Sequence, residues 1–136
     1  MPTDAARSIR IAAALIEDGA GRLLLLRKAG ARWFMQPGGK IEAGETVLAA
    51  LLRELKEELG LSLPNIALPY LGQHIAPAAN EPNMMVVAEL FHLRLRDMPE
   101  TGAEIEEAVW VDEEEALALP LAPLTRDCVL PLFEAL

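Results

Sequence analysis

From Thr46 onward the apolar period becomes that of a helix, because Leu48, Leu51, Leu52, Leu55 and Leu59 recur at i, i+3, i+4, i+7 and i+11. Thr46 supplies an N-cap and Gly60 a C-cap. Winding this helix at about 100° per residue, with Leu55 at zero, puts the leucines roughly between −40° and +60°. Glu58, Glu54 and Glu57 then follow at roughly −60°, −100° and −160°, so three carboxylates share one flank, starting at the margin of the buried face.

Like charges three and four residues apart repel, more so where an apolar stripe excludes water. Lys56 lies on the opposite flank, whereas Arg53 can reach Glu57 or Glu45 without neutralising every acid. A hard divalent cation is the economical compensation, since Mg²⁺ takes oxygen ligands and keeps positions for water and substrate phosphates. A lone Glu-x-x-Glu-Glu is more often a solvated helix face. The preceding Pro37, Gly38 and Gly39 shift that balance, because a glycine turn lets backbone approach a ligand or metal just before the carboxylates.

Together Gly39, Glu45, Arg53, Glu54, Leu55, Glu57, Glu58, Gly60 and Leu61 resemble the Nudix box of the MutT-like hydrolases at every defining position. The box runs over residues 39–61, and fixing nine positions makes it far more specific than a lone glycine loop. The resemblance implies an α/β fold, an α/β/α sandwich with a mixed sheet and a loop-helix-loop catalytic motif. It further implies Mg²⁺-dependent (or Mn²⁺-dependent) cleavage of a phosphoanhydride bond in a nucleoside diphosphate linked to another moiety, such as a nucleoside triphosphate, ADP-ribose or a nucleotide sugar. Carried onto this chain, Glu54, Glu57, Glu58 and the Gly38 carbonyl are the metal ligands, and Glu45 with Arg53 a supporting pair. Glu57, Glu58 or a later acid, Glu104, takes the proton of the attacking water, with Glu106 and Glu107 competing for that later position. Arg27, Lys28 and Arg32 are candidates to meet phosphate oxygens, and Gly39 to line the substrate. The alternative is a nucleotide-sensing module without catalysis, which usually comes with a broken box. An isomerase of isopentenyl diphosphate, also on this fold, requires a cysteine in a strand, and Cys128 comes too late.

Around the box, residues 8–17 and 22–27 read as a hairpin turned at 18–21, and 33–36 as an extended piece that Pro37, Gly38 and Gly39 terminate. Further strands are expected over 67–75, 84–95 and 105–111, with specificity loops at 75–83 and 97–105. A short helix over 112–117 and a longer one over 124–136, interrupted near Pro131, close the chain. Trp33, Tyr70 and Phe91 are expected in the core, and His74 and His92 as isolated structural groups.

At 136 residues the chain is expected to form one domain, 1–136. Its 21 acidic against 12 basic side chains, a net charge of −9, disfavour a nucleic-acid polymer but admit a small phosphorylated ligand carried with a cation. No apolar run approaches the length of a membrane span, and the first ten residues lack a leader pattern, so a cytoplasmic location is expected. Cys128, the only cysteine, excludes an intrachain disulfide and reads as a packed thiol. A Leu- and Ala-rich surface on the hairpin and last helix makes a homodimer the expected assembly.

Overall fold

The computed structural model describes residues 7–64 and 67–136. Part of the leader reading, which covers the first ten residues, therefore lies outside the described residues. The strands are β1 (Arg7–Glu17), β2 (Leu23–Lys28), β3 (Gly38–Lys40), β4 (Tyr70–Pro77), β5 (Met84–Arg94) and β6 (Ile105–Val111). The helices are α1 (Val47–Leu59), α2 (Glu113–Leu117) and α3 (Leu130–Glu134).

The sheet runs β4-β5-β1-β2-β6, with β3 beside β1. It is mixed: β1 pairs β5 in parallel along its whole length, while the other pairings are antiparallel. Side chains alternate across a strand, and β1 separates the two layers accordingly. Ala12, Ala14 and Ile16 join Leu24, Leu26 and the inner face of α1 in one apolar cluster. Ala13 and Leu15 join Leu23, Leu25, Phe34 and the C-terminal residues Leu121, Leu124, Val129 and Leu130 in the other. The result is the expected α/β/α sandwich.

One edge of β1 is shared. Near its end Glu17 pairs with Leu23 of β2, whereas Ile11, Ala12 and Ala13 pair with Lys40, Gly39 and Gly38 of β3. The sheet therefore forks between the first half of β1 and β2, and the loop entering α1 fills the fork. This corrects the expectation that the glycines end extended structure: Gly38 and Gly39 are themselves strand. The pairing is made by backbone alone, so it has no side-chain signature, and their lack of side chains lets the helix pack close. A Cβ on Gly39 would fall on the Glu54 carboxyl group, and one on Gly38, whose φ is +144°, on the backbone of Ala12 and Ala13.

The caps of α1 are those expected. Thr46 Oγ1 accepts from Ala49 N–H at 3.1 Å, and Gly60 closes the helix at φ 64°. Substituting such an N-cap by alanine costs about 1 kcal/mol. The buried arc, however, is not centred on the leucines: Ala50, Leu51, Leu55, Glu58 and Leu59 are buried, while Leu48 and Leu52 are half-buried. Ala50 at about −140° extends the arc well past the leucine stripe, so Glu58 lies inside it rather than at its margin.

Other differences are local. The fourth strand begins at Tyr70, not 67, and runs through Pro77. The last helical segment is not broken at Pro131. It opens instead into a π-turn over Thr125–Val129, where Leu130 N–H reaches back to Thr125 O, before continuing as α3. Such wider turns relieve the clash of a proline ring with the preceding turn. Tyr70 is 56% exposed, and Trp33 half-buried with its ring N–H donating to Asn80, so neither is a core residue; Phe91 is partly buried against Tyr70 and the α1 cluster. His92 is not isolated, since its Nε2 lies 2.6 Å from Glu17.

Candidate active site

Two independent constraints place the carboxylates of α1 over β3. The apolar arc fixes the helix rotation, and the Gly39 contact fixes its distance. Glu58, only 1% exposed, accepts the Gly38 N–H at 2.9 Å through Oε1, while Lys28 Nζ stands 3.9 Å from its Oε2. In the β1–β3 ladder Ala14 N–H reaches Pro37 O and Ile41 N–H reaches Arg10 O, so alternation turns Gly38 away from β1. Its N–H is taken by Glu58 and its carbonyl is left outside that ladder.

Burial, the largest influence, pushes the Glu58 carboxyl up to about 7; the nearby charges of Glu54 and Glu104 add to this, against the Gly38 N–H and Lys28. Glu54 is raised for the same first reason, with Arg53 opposing and Glu57 reinforcing. The two carboxylates thus sit where negative charge is costly and one lysine is the closest cation to Glu58.

Arg53 braces the site from outside. Its Nε and one terminal nitrogen clamp both oxygens of Glu45 at 2.7 and 2.9 Å, the same nitrogen reaches the Lys40 carbonyl at 3.0 Å, and the other nitrogen meets Glu54 at 3.0 Å and Glu57 at 3.5 Å. The Arg53 hydrogen bonds lower the Glu45 carboxyl to about 2, and the same pairing raises Arg53. Loop, strand and helix are tied at one guanidinium, the planar fork suited to such bidentate contacts.

Glu57 is the outlier of the three acids, with its side chain 53% exposed and turned toward Arg53. Glu104 is exposed at the start of β6; its carbonyl accepts Ala29 N–H, which brings it beside the end of β2, and its charge is felt at Glu58. Among the described residues no three acidic, imidazole or thiol side chains converge into a metal cage. The donor chemistry nevertheless fits a hard cation: oxygen ligands only, two of them desolvated and mutually repelling, beside a backbone carbonyl outside its ladder.

Of the basic candidates, the strand's alternation separates Lys28 from Arg27. Lys28 shares the α1 face with Leu24 and Leu26. Arg27 shares the opposite face with Leu23 and Leu25, where it pairs with Glu107 at 2.9 Å, donates to the Ala31 carbonyl and lies over Phe34. Its expected place at the phosphates is thereby corrected, and Glu107 is removed from the competition with Glu104. Arg32 stacks on Trp33 at 4.8 Å on the rim of a wide cleft of about 780 Å³ bounded by residues 77–85, which holds none of the helix carboxylates. The cleft of about 390 Å³ that does reach Glu54 is lined by Gly38, Gly39, Lys28, Met35, Gln36 and the 78–81 loop. We take this smaller cleft as the site because the chemistry faces it. A narrow apolar recess of about 80 Å³ continues from it toward Ala122, Pro123 and Leu124.

Gly102 was not singled out in the sequence. Its N–H donates to Glu58 O at 2.9 Å, and a Cβ there would fall on Glu57 O. It ties the 97–105 loop, and with it Glu104, to the end of α1.

The fold and these carboxylates define a hydrolase built around a cation-ready acidic helix. The NUDIX domain model matches residues 7–133. The chain is 34% identical to the CTP pyrophosphohydrolase of Escherichia coli over 95% of its length and 91% of that protein's. Among solved structures it is similar to the E. coli ORF135 protein, at 31% identity, TM-score 0.65 and coverage of 99% and 92% of the two chains. It is also similar to a MutT Nudix hydrolase from Burkholderia pseudomallei, at 26% identity, TM-score 0.75 and coverage of 92% and 97%. The chain belongs to the Nudix family, and with its box intact it is a pyrophosphohydrolase. Among the described residues no helix is long and apolar enough to cross a membrane.

Proposed function

We propose that the protein hydrolyses the phosphoanhydride chain of a nucleoside triphosphate with Mg²⁺, releasing a nucleoside monophosphate and pyrophosphate; Mn²⁺ is expected to substitute. The observation that carries this reading is Glu58, a buried carboxylate with one N–H and a distant lysine for company, bonded to the Gly38 backbone that lines the cleft reaching Glu54. The similarity to a CTP pyrophosphohydrolase favours a nucleotide over a sugar or lipid diphosphate.

Glu54, Glu57, Glu58 and the Gly38 carbonyl would hold the cation, which when bound offsets phosphate charge and lowers the pKa of a water. The side chains do the rest. Lys28, on the α1 face, meets a phosphate oxygen of the substrate. Gly39 leaves room for the phosphates against β3. The Glu45–Arg53 clamp keeps the loop and helix in register. The proton lost by water goes to a carboxylate, and Glu104 suits this best, because Glu57 is held by Arg53 and Glu58 by the Gly38 N–H. Arg32 lies on the rim of the neighbouring wide cleft, where its charge favours the approach of an anionic ligand.

The test is a phosphate-release screen of the purified chain against nucleoside triphosphates, ADP-ribose and nucleotide sugars, with and without Mg²⁺ and added inorganic pyrophosphatase. Phosphate release from triphosphates that requires both Mg²⁺ and the added pyrophosphatase, which splits the pyrophosphate product, is the expected result. Activity that persists in chelator, or in a Glu58→Gln variant, would defeat the reading.

A further inference from the structure

We propose that Gly102 is a positioning residue: by fastening the turn that carries Glu104 to the end of α1, it sets the distance between that carboxylate and the acids of the helix. Glu104 is the proton acceptor of the hydrolase reading above, on which this inference rests.

A helix leaves its last carbonyls without partners of their own. Two of those in α1 are met by the residues that follow it, Gly60 N–H reaching Lys56 O and Leu61 N–H reaching Leu55 O. A third donor comes from far along the chain, Gly102 N–H, which reaches Glu58 O at 2.9 Å. Gly102 also accepts: its carbonyl takes the Ile105 N–H at 3.1 Å, which closes a turn over 102–105 with Glu104 inside it. Ile105, 8% exposed, joins the apolar cluster of α1. Glu58 is the other party to this arrangement. Its carboxylate accepts from Gly38 and its carbonyl from Gly102, so the glycine strand and the turn are held to the same helical residue.

Little else sets how close the turn lies to the helix. Among the described residues, 96–101 make no main-chain hydrogen bond, so after Leu95 N–H meets Glu17 O the chain is next tied down at Gly102. The bond from Ala29 N–H to Glu104 O at 2.9 Å and the pairing of Lys28 with Ile105 fix where the turn stands along the sheet. The distance to α1 is set by backbone against backbone. A Cβ on Gly102 would fall on Glu57 O, and one on Gly60 would come within 3.3 Å of Glu100 O. Gly102 is not among the glycines of positive φ, so closeness rather than conformation calls for glycine there. A methyl group at 102 pushes the turn outward, and Glu104 with it. A misplacement of about 1 Å can cost a reaction up to about a hundredfold.

The experiment measures kcat and KM, with Mg²⁺ and the triphosphate turned over fastest in the screen above, for wild type, Gly102→Ala, Glu104→Gln and the double variant. Glu104→Gln should lower kcat by about a hundredfold, and Gly102→Ala by about tenfold or more, each with KM within about twofold of wild type. In the Glu104→Gln background, Gly102→Ala should change kcat by less than about twofold, because the group it positions is gone. An equal factor in both backgrounds, as from a glycine that only stabilises the fold, overturns the inference, and so does an unchanged kcat in either single variant. Two measurements stand apart from the folding of Gly102→Ala. Two glycines inserted between Arg96 and Asp97 add slack before the fastening and should leave kcat within about twofold; a fall as deep as that of Glu104→Gln overturns it. In the metal-free wild-type protein, the Gly102 amide should be protected from hydrogen exchange while those of 96–101 exchange freely, and a Gly102 amide as fast as these also overturns it. All these failures leave the hydrolase reading standing. A wild-type enzyme inert toward every triphosphate defeats that reading, and this one with it.

Discussion

Glu17 and Glu58 are both buried glutamates, and their surroundings are opposite. Glu17, at the end of β1, is surrounded by donors: the Gly19 N–H at 2.6 Å, His92 at 2.6 Å and Arg94 at 3.0 Å. Burial pushes its carboxyl up, but these hydrogen bonds outweigh burial and hold it below the ordinary carboxylate range. Glu58 has the Gly38 N–H and a lysine at 3.9 Å, and there burial wins. One site is finished by the protein itself; the other is left short of positive charge. The difference separates an acid whose charge the protein itself satisfies from one whose charge it leaves unmatched, which burial alone does not reveal.

The largest effect that would break this comparison is on turnover. Glu58→Gln should lower kcat by roughly a thousandfold or more, the scale of losing a principal charge-bearing group at a phosphoryl centre. The same change should stabilise the metal-free protein at pH 8. A carboxyl raised from 4.5 to about 7 on folding favours the protonated state, so its stabilising contribution is complete below pH 4.5 and is lost as pH rises through about 7. Thermal melts in chelator should show the wild-type midpoint falling across that window and the variant's midpoint flat. Added Mg²⁺ should raise the wild-type midpoint at pH 8 and leave the variant's nearly unmoved.

Next in size, Glu17→Ala should cost about 1–3 kcal/mol of stability in denaturant melts, because it leaves the partly buried His92 and the Gly19 N–H without their partner. KM and kcat of the folded fraction should be unchanged. Its depressed pKa gives the opposite pH dependence from Glu58: its contribution is present above 4.5 and is lost as pH falls through its lower folded value. A Glu17 variant that lost activity without losing stability would erase the distinction between the two acids.

A smaller effect is expected of Lys28→Met, about ten- to thirtyfold in kcat/KM, with Arg27→Met within about threefold of wild type in the same assay. Equal losses would mean that the parity of β2 does not decide which cation meets phosphate. Smallest is Glu45→Gln, about tenfold in Mg²⁺ requirement measured by titration of activity, as expected of a group that acts through Arg53.

Much of this was legible in the sequence because it is local. The caps of α1, its leucines and its acids lie within a few turns of one another, and the box shares that property. The bond between Glu17 and His92 spans 75 positions, and that between Gln36 and Thr125 spans 89, so neither leaves a sequence period to detect. Strand β3 escaped because a two-glycine strand has no alternating side chains. The deeper seating of Glu58 escaped because Ala50 and Gly39 act through their small size, which a hydrophobic pattern does not register. Arg27 and Lys28 were separable in principle by parity with Leu24 and Leu26, a signal present in the sequence and overridden there by proximity to the box.

The fork in the sheet has one more consequence. Since β1 divides its edge between β2 and β3, the cleft beside β3 is bordered by Glu54 of the acid-bearing helix and runs on into a recess bordered by residues 122–124. The carboxylates of α1 and one wall of the recess are thereby written in separate stretches of the chain, some sixty positions apart. Exchanging residues 119–126 therefore alters the recess wall without touching the α1 carboxylates, the Arg53 brace or the glycine strand.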